Sequence, residues 1–122
     1  MGRPPGSGTA RPLTPAMFHI LLVLAAGERH GYAIMREVDD LTAGARRLGP
    51  GSLYGSIKRM LAEGLIEECG ERPDPAADDG RRRYYRLTDR GRRAAASEAR
   101  RLEVLVVAAR GRRLLGRTDG PA

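Results

Sequence analysis

The chain has 122 residues, of which 41% are hydrophobic, and it contains one cysteine. This length fits a single ordinary domain, no apolar run reaches the ~18 residues of a membrane span, and one cysteine excludes an intrachain disulfide or a thiolate metal site. The net charge of +7, from 22 Lys and Arg against 15 Asp and Glu, favours a polyanionic partner such as nucleic acid or an anionic membrane surface.

The N-terminal segment is predicted to be unstructured. Gly and Pro dominate residues 1–13 and supply no packed face, so we expect a flexible tail that Arg3 and Arg11 make mildly basic. The segment lacks the apolar stretch that a secretory signal needs. These observations predict a cytoplasmic protein.

Three helices are predicted to follow the tail. Thr14 and Pro15 form a favourable helix start, and the helix that ends at Gly27 is apolar on nearly every side, so more than one of its faces must be buried. A second helix spans residues 31–43 and a third spans residues 50–64, each with one apolar stripe. The stripe of the second is Ile34, Val38 and Leu41, and that of the third is Leu53, Ile57, Met60 and Leu61.

A β-hairpin is predicted after the third helix. Residues 65–69 form a short strand candidate, residues 71–80 a loop rich in Pro and Asp, and residues 82–87 the returning strand. Tyr85 and Leu87 lie on one face of that strand. The sequence therefore predicts a hairpin with a long, flexible tip.

A long helix is predicted from Thr88 to about Leu115, with Gly111 weakening its last turns. Small and apolar residues in it recur at alternating spacings of four and three, as in a coiled-coil seam. The seam is Ala95, Ala99, Leu102, Val106 and Ala109, widened by Leu105.

The outward face of the third helix suits the major groove of DNA. Its residues are small or hydrogen-bonding, which permits close approach, and the groove accepts one helix. The alternative is an ordinary solvated helix face. The predicted contacts on and before this helix are Arg46, Arg47, Gly51, Ser52, Tyr54, Gly55, Ser56, Lys58 and Arg59.

Three consecutive arginines, residues 81–83, stand at the hairpin tip. They cannot all face a core, so they are solvated or paired with anions. In a wing the anions would be DNA phosphates, with Arg82 and Arg83 as the predicted contacts. The alternative is pairing within the loop, where Asp74, Asp78 and Asp79 are near in sequence.

Four stretches in this order resemble the PadR-like family of winged-helix transcriptional regulators. They are residues 30–34 (HGYAI), 48–55 (LGPGSLYG), 61–66 (LAEGLI) and 83–88 (RYYRLT), with Gly91 after them. The resemblance covers about residues 13–115 and implies a two-fold dimer with the third helix of each subunit in a major groove. It also implies packing, with one phosphate contact, for Tyr84 and Tyr85 on the returning strand. The single long helix after the wing is similar to the short-tailed branch, in which that helix builds the dimer.

The predicted dimer involves the first and last helices. Some family members bind flat hydrophobic drugs between the two halves of the dimer through tryptophan on the last helix, whereas this chain has no Trp. The apolar residues of the first and last helices could line an effector cavity or simply form the core of the dimer, and both interpretations remain open. The predicted dimer contacts are Phe18, Leu22, Ala95, Ala99, Leu102, Leu105, Val106 and Ala109.

The cysteine and the two histidines are interpreted as structural. Cys69 fits a half-buried strand position, and its neighbours Glu68 and Glu71 disfavour the thiolate that a redox sensor needs. His19 lies within an apolar helix and His30 opens the next, whereas metal sites need three or four converging ligands. No nucleophile elbow or phosphate-binding glycine loop occurs, so we expect no enzyme, cofactor or metal site.

Together these patterns predict a mainly α protein with a small β-hairpin. Residues 1–13 form a disordered basic tail, residues 14–88 a winged helix-turn-helix, residues 89–116 a C-terminal dimerisation helix and residues 117–122 a disordered tail. The predicted function is a homodimeric regulator, a repressor by steric block of a palindromic operator, with release by a small-molecule effector as a further hypothesis. The alternative is a winged-helix module for protein–protein interaction.

Overall fold

A computed structural model describes residues 12–45, 47–76 and 80–116. The predicted tails at 1–11 and 117–122 lie outside the described residues. The elements in chain order are α1 (Pro15–Ala25), β1 (Arg29–His30), α2 (Gly31–Leu41), α3 (Pro50–Ala62), β2 (Ile66–Pro73), β3 (Arg81–Leu87) and α4 (Asp89–Gly111). The predicted fold class, mainly helical with a small sheet, is confirmed. None of the helices in these three ranges combines the length and apolar character that crossing a lipid bilayer requires.

Helix α1 is the centre of the core, as its apolar sequence predicts. The Thr14 hydroxyl accepts a hydrogen bond from the Met17 amide at 3.1 Å and so caps the first turn. Helices α2, α3 and α4 and strand β3 all contact α1. Its buried side chains are Met17, Ile20, Leu21, Val23 and Leu24.

The inward stripes of α2 and α3 are confirmed except at Leu41. Ile34 and Val38 are buried, as are Leu53, Ile57 and Met60 of α3. Leu41 is 53% exposed, so its predicted place in the core is wrong. Leu41 is the last residue of α2, and the chain turns away there, because the φ angle of 51° at Ala43 reverses the backbone.

Within the described residues the sheet has three antiparallel strands rather than two, in the order β1-β3-β2. The additional strand is β1, whose Arg29 and His30 pair with Tyr85 and Tyr84. Strand β2 also continues to Pro73, where the sequence predicted a loop from residue 71. The hairpin closes by a 2.8 Å hydrogen bond from the Asp74 amide to the Gly80 carbonyl.

Helix α4 begins at a Thr88 cap and ends at Gly111, four residues before the predicted Leu115. The Leu114 amide bonds back to the Ala109 carbonyl at 2.9 Å, while Arg113 adopts a φ angle of 63°. This pattern satisfies the last carbonyls of the helix and terminates it.

Candidate nucleic-acid interface

One face of α3 is open to solvent, opposite the buried stripe of Leu53, Ile57 and Met60. We call this the recognition face. Its members Gly51, Ser52, Tyr54, Gly55 and Lys58 are exposed, and Ser56 is half-buried. The structure therefore brings six of the predicted contact residues together on one surface. Their contact with DNA stays a prediction.

The glycines of the recognition face pack against no other part of the chain that the structure describes. A Cβ added at Gly51 or Gly55 meets no atom within 4 Å among the described residues. Glycine inside a helix costs ~0.5–1 kcal/mol of stability relative to alanine. No contact of the described subunit offsets that cost, and the result is a low surface that an outside backbone can approach closely.

The basic side chains around α3 differ in whether they already form ion pairs or hydrogen bonds within the subunit. Lys58 and Arg47 are exposed, and neither forms an ion pair with another described residue. Arg59, in contrast, donates to the Glu63 carboxylate at 2.7 Å and to the Pro12 carbonyl at 3.2 Å, and its side chain is 21% exposed. Arg46 lies outside the described residues. Lys58 is thus better placed than Arg59 for a new anion.

The hairpin arginines are all paired with acidic side chains. Arg82 Nε lies 2.7 Å from an Asp74 carboxylate oxygen, which is the internal pairing that the sequence left open, while Asp78 and Asp79 lie outside the described residues. Arg82 also stands over the Tyr32 ring. The other pairs are Arg81 with Glu71 at 3.0 Å, Arg83 with Glu68 at 3.5 Å and Glu71 at 3.8 Å, and Arg86 with Glu67 at 2.7 Å.

A β-bulge explains why Arg83 has two carboxylates beside it. Glu68 pairs with Tyr85, and Glu71 pairs with Arg83. Between these two pairs β2 has two residues and β3 has one, so β2 contains one extra residue. Gly70 adopts a φ angle of 119° within that bulge. In a regular strand, residues three apart such as Glu68 and Glu71 would point to opposite faces of the sheet. The bulge turns both toward the face of Arg83.

A cavity of about 250 Å³ lies where the hairpin meets α2 and α3. We call it the wing-root pocket. It is lined by His30 and Gly31 at the start of α2, by Tyr54 of α3, and by Glu71, Tyr85 and arginines 81–83 of the hairpin. The Tyr54 hydroxyl closes over Gly31, where an added Cβ would lie only 2.6 Å from that oxygen. Tyr54 therefore belongs both to the recognition face and to this pocket.

His30 and Tyr84 contact each other where the hairpin meets the start of α2. The His30 Nδ1 accepts a hydrogen bond from the Ala33 amide at 3.2 Å, which caps α2. Burial lowers the pKa of His30, and the nearby charge of Arg82 lowers it further. The His30 and Tyr84 rings pack in a T-shaped arrangement, and the Arg72 guanidinium lies over the Tyr84 ring, 3.9 Å from its centre. Tyr84 has the packing role expected of it.

Cys69 is half-buried on β2, as predicted. Burial raises the pKa of its thiol, and the charge of Glu28 raises it further. The acidic neighbour is therefore Glu28 of the α1–β1 connection rather than Glu68 or Glu71. A raised pKa disfavours the reactive thiolate.

The predicted dimer residues are unevenly exposed. Ala95 is 8% exposed and packs in the core of its own subunit, so its side chain has little surface left for a partner. Leu22, Ala99, Leu105 and Val106 are exposed, whereas Phe18, Leu102 and Ala109 are half-buried. Val104 and Val107, which the seam does not include, are 67% and 63% exposed.

Sequence reasoning missed the role of Glu71 and strand β1. Residues 66–73 carry three glutamates opposite the four arginines of residues 81–87, and a glycine inside a strand pattern often marks a bulge. From those two signals, the predicted first strand of the hairpin could have been extended past residue 70. A two-residue strand such as β1 carries no periodicity and leaves no comparable signal.

The chain is similar to known proteins in sequence and in fold. Residues 20–97 match the model of the transcriptional regulator PadR-like family. Over 88 residues the chain is 38% identical to the transcriptional regulator Rv3488 of Mycobacterium tuberculosis, covering 71% of this chain and 75% of that protein. It is also 38% identical over 84 residues to an uncharacterized 37.1 kDa protein in transposon TN4556 of Streptomyces fradiae. That alignment covers 69% of this chain and 22% of the relative, so the chain spans about a fifth of the relative's length.

A solved structure shows the same fold. The crystal structure of Bacillus subtilis PadR in complex with operator DNA matches with a TM-score of 0.59 at 22% identity, covering 68% of this chain and 45% of that chain. The likeness supports the winged-helix fold.

Proposed function

This chain belongs to the PadR-like family of transcriptional regulators, and on that premise we propose that it binds double-stranded operator DNA as a homodimer. The recognition face of α3 enters the major groove, and the β2–β3 hairpin lies against the flanking backbone. The family is one of regulators rather than enzymes. The cytoplasm is the expected location of this activity.

The observation that carries the proposal is the open surface at Gly51 and Gly55. Both glycines weaken α3, and neither accommodates any described atom of the subunit. A low surface of this kind is what a groove-inserted helix needs, since bases and sugars must come within contact distance. Lys58 stands exposed on the same face and can reach a phosphate.

The dimer supplies the second half of the mechanism. Exposed apolar side chains on α4, among them Leu105 and Val106, give a surface for a second copy together with Leu22 of α1. Two recognition faces related by a two-fold axis would occupy half-sites about one helical turn, ~34 Å, apart. Bound across a promoter, such a dimer acts as a repressor by steric exclusion.

An effector would act by changing the spacing of the two recognition faces through α1 and α4. Those helices are in direct contact in the subunit, and α4 is also tied to the end of α3. The sequence contains no Trp and no aromatic residue after Tyr85, so a stacked planar ligand on α4 is not supported. A small apolar ligand between the helices is the form of effector that the side chains favour.

Salt dependence of DNA binding tests this function. Fluorescence anisotropy of labelled duplex from upstream of the protein's own gene would be measured between 50 and 200 mM salt. Contact with six to ten phosphates predicts a loss of about 10³-fold or more in affinity over that range. Binding that is absent at 50 mM salt, or that is insensitive to salt, would favour the protein–protein interaction module instead.

A further inference from the structure

We propose that the wing-root pocket is a binding site for one phosphate group of the DNA backbone, and that Glu71 occupies the place of that phosphate in the free protein. The proposal rests on the DNA-binding function above and adds to it a specific contact and an internal competitor. It assigns to Glu71 a role in setting DNA affinity.

The pocket has the chemistry of an anion site. Arginines 81–83 line it, and Glu71 is the acidic residue in its lining. Guanidinium groups bind carboxylate and phosphate oxygens in the same planar geometry. The Tyr54 hydroxyl adds a neutral donor. With a volume of about 250 Å³, the pocket is large enough to admit a phosphate group.

The Glu71 carboxylate already occupies part of this anion site. One of its carboxylate oxygens lies 3.0 Å from Arg81 Nε, and the other lies 3.8 Å from Arg83 Nε. The two oxygens thus face two different arginines, as the oxygens of a bridging phosphate would. The longer distance makes the pair with Arg83 the weaker of the two.

The β-bulge indicates that the position of Glu71 is a built feature of the hairpin. It requires the extra residue between Glu68 and Glu71 and the positive φ angle of Gly70. Regular pairing would place Glu71 on the other face, away from Arg83. The fold therefore departs from a regular ladder at the place where a carboxylate is brought to the arginines.

Tyr54 identifies the DNA backbone as the source of the phosphate. Its side chain belongs to the recognition face and also lines the pocket. A duplex held by the recognition face has its flanking backbone beside that residue. A phosphate that reaches Arg81 and Arg83 there must displace the Glu71 carboxylate. Breaking the ion pairs of Glu71 offsets part of the free energy gained from the phosphate contact, so Glu71 lowers the affinity of the hairpin for DNA.

The test compares E71Q with E67Q. Both variants remove one negative charge from the hairpin, but Glu67 pairs with Arg86 and does not line the pocket. Anisotropy titrations would use a labelled mixed-sequence duplex of about 30 base pairs between 50 and 200 mM salt, because a phosphate contact is independent of sequence. Circular dichroism would confirm that both variants fold, and E71A provides a second substitution at the same site.

We expect E71Q and E71A to bind the duplex several-fold more tightly than E67Q at 50 mM salt, with a log–log salt slope steeper by up to about one unit, the value for one further phosphate. Equal gains in E71Q and E67Q would overturn the proposal while leaving DNA binding intact. No binding by any of the proteins, wild type included, would instead contradict the proposed function.

A second experiment measures the Tm of each variant in inorganic phosphate and in chloride of equal ionic strength. A larger phosphate-induced rise in E71Q than in E67Q, without a gain in duplex affinity, would assign the pocket to a free phosphate and overturn the backbone assignment.

Discussion

A Cβ added to Gly91 would lie 1.9 Å from the carbonyl oxygen of Leu65. Gly91 is in the first turn of α4, and Leu65 joins α3 to β2. Thr88 strengthens the same junction, because its amide donates to the Leu65 carbonyl at 3.1 Å and its hydroxyl donates to the Gly64 carbonyl at 2.6 Å. The start of α4 is thereby fixed to the end of α3.

The first prediction concerns this junction. Gly91→Ala forces α4 away from Leu65 and is expected to lower the free energy of unfolding by about 1–3 kcal/mol, as overpacked sites do. Urea denaturation at one fixed protein concentration measures it. Gly111→Ala is the matched control in the same helix, where the added Cβ meets nothing within 4 Å. Equal stability of the two variants would show that the close approach is not maintained in solution.

The second prediction separates folding from binding at Gly55. Gly55→Ala is expected to raise the free energy of unfolding by ~0.5–1 kcal/mol, because alanine favours the helix and has free space. The same methyl group is expected to weaken duplex binding by about 1–3 kcal/mol, since it stands between the helix and the groove. Denaturation and anisotropy are measured on one preparation. Unchanged affinity in the stabilised variant would remove Gly55 from the interface.

The third prediction distinguishes two neighbouring cations. Lys58→Gln is expected to weaken binding of all duplex sequences alike and to reduce the salt slope by about one. Arg59→Gln is expected to change the slope less and to cost ~0.3–0.5 kcal/mol of stability, because Arg59 is held by Glu63. A slope that falls equally in both variants would mean that Arg59 leaves Glu63 when DNA binds.

The fourth prediction follows from the lowered pKa of His30. The unfolded chain binds this proton more readily than the folded chain does, so the stability contributed by neutral His30 is present above the usual value of about 6.5 and is lost as the pH falls through the lower folded pKa. Protonation of Nδ1 would also remove the acceptor for the Ala33 amide. His30→Asn keeps a capping side chain without titrating and serves as the control.

Urea denaturation of wild type and His30→Asn at pH 7.5 and pH 5.5 measures this difference. The wild type is expected to lose more unfolding free energy than the variant on going to pH 5.5. If both proteins lose the same amount, His30 does not contribute to the pH dependence.

The fifth prediction addresses the dimer. Val106→Glu places a charge in the proposed seam and is expected to raise the dimer dissociation constant at least tenfold, as ~1.4 kcal/mol would. Val104→Glu makes the same change outside the seam, at a more exposed position. Sedimentation velocity over a concentration series gives both constants. A larger effect at Val104 would move the interface to the other side of α4.

The helices could be predicted from sequence because their signals are local. Thr14 and Thr88 cap α1 and α4 in the structure, and the buried stripe of α3 has the helical spacing that its sequence shows. The error at Leu41 has a physical cause, since periodicity places a side chain on a face and does not tell whether any neighbour covers the last turn. The end of α4 was misplaced because Arg113, a residue without glycine's freedom, adopts the left-handed conformation.

The candidate site was only partly predictable for a different reason. The face that carries Gly55 and Lys58 follows from helical geometry alone. The ion pairs of the hairpin depend on register, and the register depends on a bulge at Gly70 that shifts Glu71 against Arg83. Long-range contacts such as that between Tyr54 and Gly31 leave no periodic trace in the sequence.

Selection of binding sites from a random-sequence duplex library by the wild-type protein, at about 150 mM salt, tests the central claim most directly. We expect enrichment of a two-fold symmetric motif whose half-sites are centred about 10 base pairs, or a multiple of that, apart. A library that stays random after repeated rounds would contradict the assignment of α3 as a helix that recognises operator DNA.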